Sequence, residues 1–213
     1  MPSDDFTNVT GTAITSHNPG AWAQIASVPT GYLTIYNNMC KGIISGIGGA
    51  RYVASTADLS QARLVACSAQ PPAASISKRV AVRTGAATRG YEIHLQTLSG
   101  NNYTRLAMFK NAAFLAYIST TLSVPSGVDH ILRLEATGTN PVLLTCYLDG
   151  VQIGSTYSDS ASPIGPGNPG FLIQGGAVAD DNCIDDWTDG VSSGFAGVSR
   201  GRQLAGISRG RLT

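Results

Sequence analysis

The chain has 213 residues, 43% hydrophobic and only 13% charged, with a formal net charge of +1. Glutamate occurs only at Glu92 and Glu135 and lysine only three times, which leaves little material for solvated helical faces and favours strands and turns. No run of 18 apolar residues is present to cross a membrane as a helix, and the opening MPSDDFTNVT lacks the basic and apolar regions of a secretory signal, so synthesis in a reducing cytosol without membrane insertion is expected.

The length suits one large all-β domain with a core that does not depend on disulfides. From the N-terminus, a turn at His17-Asn18-Pro19-Gly20 precedes short strands carrying Trp22 and Ile25, then Leu33, Ile35 and Tyr36. Ile43, Ile44 and Ile47 lie among Gly42, Gly46, Gly48 and Gly49, a density that fits strand edges or tight bends. Residues 57–66 are the only plausible helical turn, and a strand over 63–68 is the preferred reading there. Beyond Pro71-Pro72, Val80 and Val82 share one face of a strand with Arg79 and Arg83 at polar positions. Tyr91, Ile93 and Leu95 then alternate with Glu92, His94 and Gln96, the pattern of a half-buried strand. Turns at 99–102 and at Lys110-Asn111 separate strands over 103–109 and 113–119. Residues 130–155 hold three short strands, the last two joined by Asp149-Gly150, whose chemistry suits a type I′ hairpin. A Pro/Gly-rich loop at 163–170 leads to Phe171-Leu172-Ile173, and the body closes on Cys183-Ile184-Asp185-Asp186-Trp187.

Six pieces in order carry a resemblance: Asp5-Phe6; Gly90-Tyr91-Glu92-Ile93; residues 130–135 followed by Gly138; Tyr147-Leu148-Asp149-Gly150; Pro169-Gly170-Phe171; and Ile184-Asp185-Asp186-Trp187. Together they resemble the concanavalin A-like lectin/glucanase family, which includes laminin G-like domains. The resemblance implies an all-β, two-sheet antiparallel jelly-roll sandwich over residues 1–190, with an extended C-terminal tail at 191–213. It implies that the first and last strands pair, bringing Phe6 close to Trp187, and that residues 130–155 are central strands. It leaves function open, because this fold hosts enzymes, lectins and structural domains alike.

Glycoside hydrolysis needs two carboxylates flanking the scissile bond. Enzymes of the resembled family set them along one strand, as Glu-x-Asp-x-x-Glu. Here Glu92 has no acidic partner two or five residues on, and Glu135 stands alone. His17, His94 and His130 are scattered, none lies near a Gly-x-Ser-x-Gly motif, and His94 reads as a residue of an exposed sheet face. No catalytic residue is assigned, and a non-enzymatic protein is expected. Sugar binding would use aromatic faces, and Tyr91, Tyr103, Tyr117 and Tyr147 lie in suitable strands. Asp180, Asp181, Asp185, Asp186 and Asp189 hold five of the 13 acids within ten residues, and the resembled fold often carries a structural calcium near its terminal strands. Asp5 and Asp186 are therefore the candidate calcium ligands; no other cofactor is expected. Cys40, Cys67, Cys146 and Cys183 show no metal-binding spacing and are expected to be reduced.

The tail differs from the body. No acid follows Asp189, whereas Arg200, Arg202, Arg209 and Arg211 do; without those four, 10 basic residues face 13 acidic ones, so the body is −3 and the tail +4. Ala196 to Arg202 recurs at Ala205 to Arg211, a shift of nine residues. Phe195, Val198, Leu204 and Ile207 interleave with the four arginines, a mixture that fits anchoring to protein better than to nucleic acid. The leading expectation is a non-enzymatic structural or adhesive protein of a virion surface, such as a bacteriophage capsid decoration (cement) or fibre-type protein. It would dock through this tail on other virion proteins or copies of itself. The alternatives are a soluble carbohydrate-binding module recognising cell-surface glycans, and a polysaccharide-degrading enzyme with an unrecognised site.

Overall fold

A computed structural model of the chain describes residues 3–28, 30, 33–36, 38–42, 47–65, 77–96, 102–125, 128–174 and 183–190. The strands of the first half are β1 (Ser3–Asp4), β2 (Trp22–Gln24), β3 (Leu33–Tyr36), β4 (Met39–Gly42), β5 (Ile47–Tyr52), β6 (Leu59–Leu64), β7 (Ser77–Thr84), β8 (Tyr91–Gln96) and β9 (Asn102–Tyr103). The second half adds β10 (Arg105–Lys110), β11 (Ala113–Ser119), β12 (Val124–Pro125), β13 (His130–Thr137), β14 (Val142–Leu148), β15 (Val151–Gln152), β16 (Tyr157–Asp159), β17 (Asn168–Gln174) and β18 (Cys183–Thr188). Among the described residues a single short helix, α1 (Ile14–His17), precedes the expected turn at His17-Asn18-Pro19-Gly20. The strand expected at 63–68 begins earlier, as β6, because Ala62 and Leu64 face the core while Gln61 and Arg63 face away.

Apart from the two-stranded pair of β9 and β12, the described strands form two antiparallel sheets packed face to face. The first runs β15-β14-β13-β6-β18-β4-β3, with β1 on β18 and β16 on β14; the second runs β11-β10-β8-β7-β17-β5-β2. Val80, Val82, Tyr91, Ile93, Leu95, Leu106, Met108, Phe171 and Ile173 of the second sheet meet Leu64, Leu132, Leu134, Leu144, Cys146, Ile184 and Trp187 of the first. This is the two-sheet sandwich expected from the resemblance, and the first and last strands do pair, with Asp4 opposite Trp187. Phe6 and Trp187 meet through Trp22, whose ring centroid lies 6.1 Å from Phe6 and 4.9 Å from Trp187. Asp4 fixes this corner by accepting hydrogen bonds from the Trp22 indole (2.7 Å), the Phe6 amide (2.8 Å) and His17 Nε2 (2.6 Å).

Asp149 and Gly150 both have positive φ, +52° and +80°, as a type I′ turn requires. Residues 130–155 are nevertheless less central than expected. β13 lies inside the first sheet, but β14 is next to its rim, where β15 and β16 share its outer side. Cys40, Cys146 and Cys183 are buried, and burial pushes the Cys146 thiol up to about 12. Among the described residues no helix is long and apolar enough to cross a membrane. Cys67 and the tail from residue 191 onward lie outside the described residues.

Arg83 is the polar tie between loops. Its buried guanidinium donates to both Asp58 carboxylate oxygens (2.8 and 2.6 Å) and to the carbonyls of Ile164 (2.8 Å) and Gly138 (2.7 Å). Beside it Gly90 has φ +77°, and a Cβ there would lie 2.2 Å from the Val82 carbonyl oxygen. Gly90→Ala therefore forces backbone to move and is expected to cost about 2–3 kcal/mol. Arg83→Met, which strands Asp58 and two carbonyls, is expected to cost about 3 kcal/mol. Gly165→Ala, which meets nothing within 4 Å, should leave stability unchanged. Urea denaturation of the three variants checks the order.

Candidate functional site

Side chains alternate along a strand, so turning Val80, Val82, Ile93 and Met108 into the core turns Arg79, Ala81, Glu92, His94, Ala107 and Phe109 onto the outer face of the second sheet. The register sets them in rows. His94 stands between Arg79 and Ala107, Glu92 between Ala81 and Phe109, and on the edge strand Phe114 and Tyr117 stand opposite Phe109 and Ala107. The face thus passes from an aromatic edge, through a charged centre, to an apolar region where Ile25 and Val28 cover Ala81 and Leu172.

The charged centre is built around Glu92, whose side chain is fully buried. Arg89 grips both its oxygens (2.8 and 3.1 Å), His94 Nε2 lies 2.9 Å away, and Arg79 Nη1 reaches it at 3.5 Å. Arg79 also donates to Ser77 Oγ (2.8 Å) and to the Gln174 side-chain oxygen. Burial alone would raise the Glu92 pKa, but the hydrogen bond from His94 and the charge and hydrogen bonds of Arg89 outweigh it and bring it to about 2. Burial lowers His94, with Arg79 and Arg89 adding to the effect against Glu92, to about 4. Burial also lowers Arg79 to about 10, still charged at neutral pH. Near pH 7 the centre therefore holds one carboxylate, two guanidinium groups and a neutral imidazole whose Nε2–H donates to Glu92. With the imidazole neutral, the guanidinium groups supply the positive charge that keeps Glu92 ionised.

His94 also stacks flat on Phe109, with centroids 3.9 Å apart and planes at 12°. Phe109 meets Phe114 edge-on at 5.7 Å, and Phe114 lies 4.8 Å from Tyr117. Phe114 is 50% exposed and Tyr117 48%, so the edge offers two adjacent ring faces to solvent. Arg105 lies over Tyr117, 5.2 Å from its centroid, and donates from Nη1 to the phenolic oxygen at 3.1 Å. Its Nε is buried without a hydrogen-bond partner.

The four tyrosines proposed from sequence fall in different places. Tyr91 is core; its hydroxyl donates to Asp159 (2.6 Å) and accepts from the Ile164 amide (2.8 Å). Tyr103 is also buried, so neither ring presents a face to solvent. Tyr147 lies on the outer face of the first sheet under Arg133, 3.8 Å from its ring centroid. Only Tyr117 stands on the exposed aromatic edge. Asp5 is exposed and accepts from the Thr7 amide at 3.1 Å, while Asp186 is drawn to Arg63 Nε at 3.2 Å. Among the described residues no group of three or more His, Cys, Asp or Glu side chains is placed to hold a metal ion. Asp180, Asp181 and the anchor candidates Phe195, Val198, Arg200, Arg202, Leu204, Ile207, Arg209 and Arg211 lie outside the described residues. His94 is corrected: it is buried at 3% exposure, because Phe109, Glu92 and Arg79 enclose it. The signal for this centre was present in the polar positions of two alternating strands, where Glu92 and His94, two residues apart, must share a face.

Because unfolded His94 takes up a proton near pH 6.5 and the folded ring only near 4, the unfolded state binds more protons across that window. Stability is expected to fall by up to about 3 kcal/mol as pH drops from about 6.5 to 4, with Glu92 adding a further loss below about 4.5. Chemical denaturation at stepped pH should show this slope, and His94→Gln should remove its upper part. An NMR titration should find the His94 ring still neutral at pH 5.

No protein-family model matches the chain, and no curated protein matches its sequence. Solved structures do match. A carbohydrate-binding module from Bacillus subtilis is 17% identical with a TM-score of 0.51, covering 78% of this chain and 91% of its own. A chain described with endo-acting O-glycanases that prominent members of the human gut microbiota express to initiate mucin breakdown is 14% identical, TM-score 0.55, covering 89% and 96%. A Bacillus subtilis protein of unknown function with a galectin-like fold is 11% identical, TM-score 0.50, covering 88% and 93%. Identities this low speak for the fold alone, and with the sheet order above they show that the chain folds as a concanavalin A-like jelly roll.

Proposed function

We propose that the outer face of the second sheet binds a glycan at its exposed edge, with Phe114 and Tyr117 as the stacking surface, Arg105 as the orienting polar group, and the buried Glu92 centre setting the field behind them. The observation that carries this reading is the pair of half-exposed rings, 4.8 Å apart, beside a prebuilt polar network. Sugar rings present C–H faces that pack on aromatic rings, while a few placed polar groups set orientation. Two of the similar structures, a carbohydrate-binding module and a chain described with endo-acting O-glycanases, support a sugar as the ligand class.

The same face favours binding over hydrolysis. A glycosidase needs two carboxyl groups about 5–5.5 Å or about 6.5–9.5 Å apart. Among the described residues this face carries one, Glu92, and a carboxylate held at a pKa of about 2 by its cationic neighbours is a poor proton donor near neutrality. A second reading, docking of the domain on a larger particle such as a virion, rests on the nine-residue repeat of residues 196–211.

Phe114→Ala and Tyr117→Ala should each weaken oligosaccharide binding about tenfold or more, by loss of a stacking face, with the melting temperature unchanged. A glycan array followed by calorimetry checks this, and unaltered affinity in both variants would sink the reading. No reducing ends should be released from a polysaccharide panel; release that disappears in Glu92→Gln would instead establish a hydrolase. Deleting residues 194–213 should leave the body folded and glycan binding intact while abolishing attachment to any particle or self-association, read by sedimentation.

A further inference from the structure

We infer that the glycan bound on this face is anionic, a sugar bearing a carboxylate or a sulfate ester, and that Arg105 receives its acid group. The inference rests on the glycan reading above and adds the charge of the ligand. Three arginines, Arg79, Arg89 and Arg105, share the outer face of strands β7, β8 and β10 with a single carboxylate, Glu92. The face is therefore cationic on a body whose net charge is −3, with 10 basic against 13 acidic residues once the four tail arginines are set aside. The excess is not spread evenly. Arg79 and Arg89 already converge on Glu92, at 3.5 and 2.8 Å, and that carboxylate also receives His94 at 2.9 Å. None of its capacity is left for a third guanidinium.

Arg105 is the group left over. Its only polar contact among the described residues is the Tyr117 hydroxyl at 3.1 Å, and it pairs with no carboxylate. Its Nε is buried against the face, so the Nη groups at the end of the fork are the donors left to meet a ligand. A guanidinium lying over an aromatic ring has its orientation fixed and its hydration reduced, and its planar fork matches the two oxygens of a carboxylate or sulfate. The ring that orients Arg105 is also one of the two faces available for stacking. A sugar resting on Phe114 and Tyr117 would thus bring a substituent acid group to Arg105 without rearrangement of the face.

Calorimetry on the full chain tests this with oligogalacturonate as the carboxylated probe, a heparin-derived oligosaccharide as the sulfated one, and xylo-oligosaccharide of equal length as the neutral one. A dT10 oligonucleotide serves as the non-sugar polyanion. One acidic glycan should bind about tenfold or more tighter than the neutral one at low salt, the gap should narrow as salt rises, and Arg105→Gln should close it. Which acidic probe wins identifies carboxylate or sulfate. Arg105→Lys, which keeps the charge but not the fork, should retain part of the gap and serves if the glutamine variant does not fold. Equal binding of neutral and acidic sugars, unmoved by either variant, would overturn the anionic ligand and leave the glycan reading standing. If no sugar of either kind binds, the glycan reading falls and this inference with it. Binding of dT10 as tight as that of the best acidic glycan would overturn a sugar-borne acid in favour of nucleic acid.

Discussion

Strand β7 is buried on both of its faces, and much of the molecule follows from that. On the inner side Val80 and Val82 meet the core at no cost in hydrogen bonding. On the outer side the same burial encloses Arg79, whose guanidinium must recover from neighbouring side chains what it loses from water. Ser77, Gln174 and Glu92 supply that recovery, and Glu92, now buried as well, requires Arg89 and His94 in turn. One desolvated charge thus dictates the identity of side chains on β7, β8 and β17. The aromatic edge lies beyond this chain of requirements: Phe109 covers His94, which leaves Phe114 and Tyr117 free to face solvent.

The parts of this arrangement that were legible in the sequence are those decided by local chemistry. Asp149-Gly150 makes its turn because both residues accept positive φ, and alternation in residues 91–96 reports a strand whatever surrounds it. Pairing of the terminal strands followed from resemblance rather than from periodicity. The misplaced readings concern the far side of the alternation. Polar residues opposite apolar ones were assigned to solvent, yet the outer face of the second sheet is itself enclosed, so His94 and Glu92 are buried. The tyrosines failed as a group for a related reason, since strand parity decides which face a ring occupies. Tyr91 falls on the inward parity and Tyr117 on the outward one, and aromatic content alone does not distinguish them. Phe114 falls on the outward side as well, although it was not among the candidates.

The division between a rigid centre and an exposed edge also bears on how a ligand would be selected. The centre is already satisfied internally, so it defines shape and field more than it supplies open bonds. The edge has ring faces and a guanidinium in search of an acceptor. Under the proposed glycan reading, recognition would depend little on induced change, because Phe114, Tyr117 and Arg105 are positioned by contacts that exist without a ligand.

The pairing of β1 with β18 has a mechanical consequence. Among the described residues, Ser3 lies opposite Thr188 and Asp4 opposite Trp187 in a ladder of two residue pairs. A load applied between those two points would not shear the sheets. It would open the ladder like a zipper, one bond at a time, and the first thing to give way would be the carboxylate of Asp4 with its hold on Trp22 and His17. The sandwich is therefore weak along the line joining β1 to the end of β18, and a load that does not act between those two strands would spare the direction in which it yields.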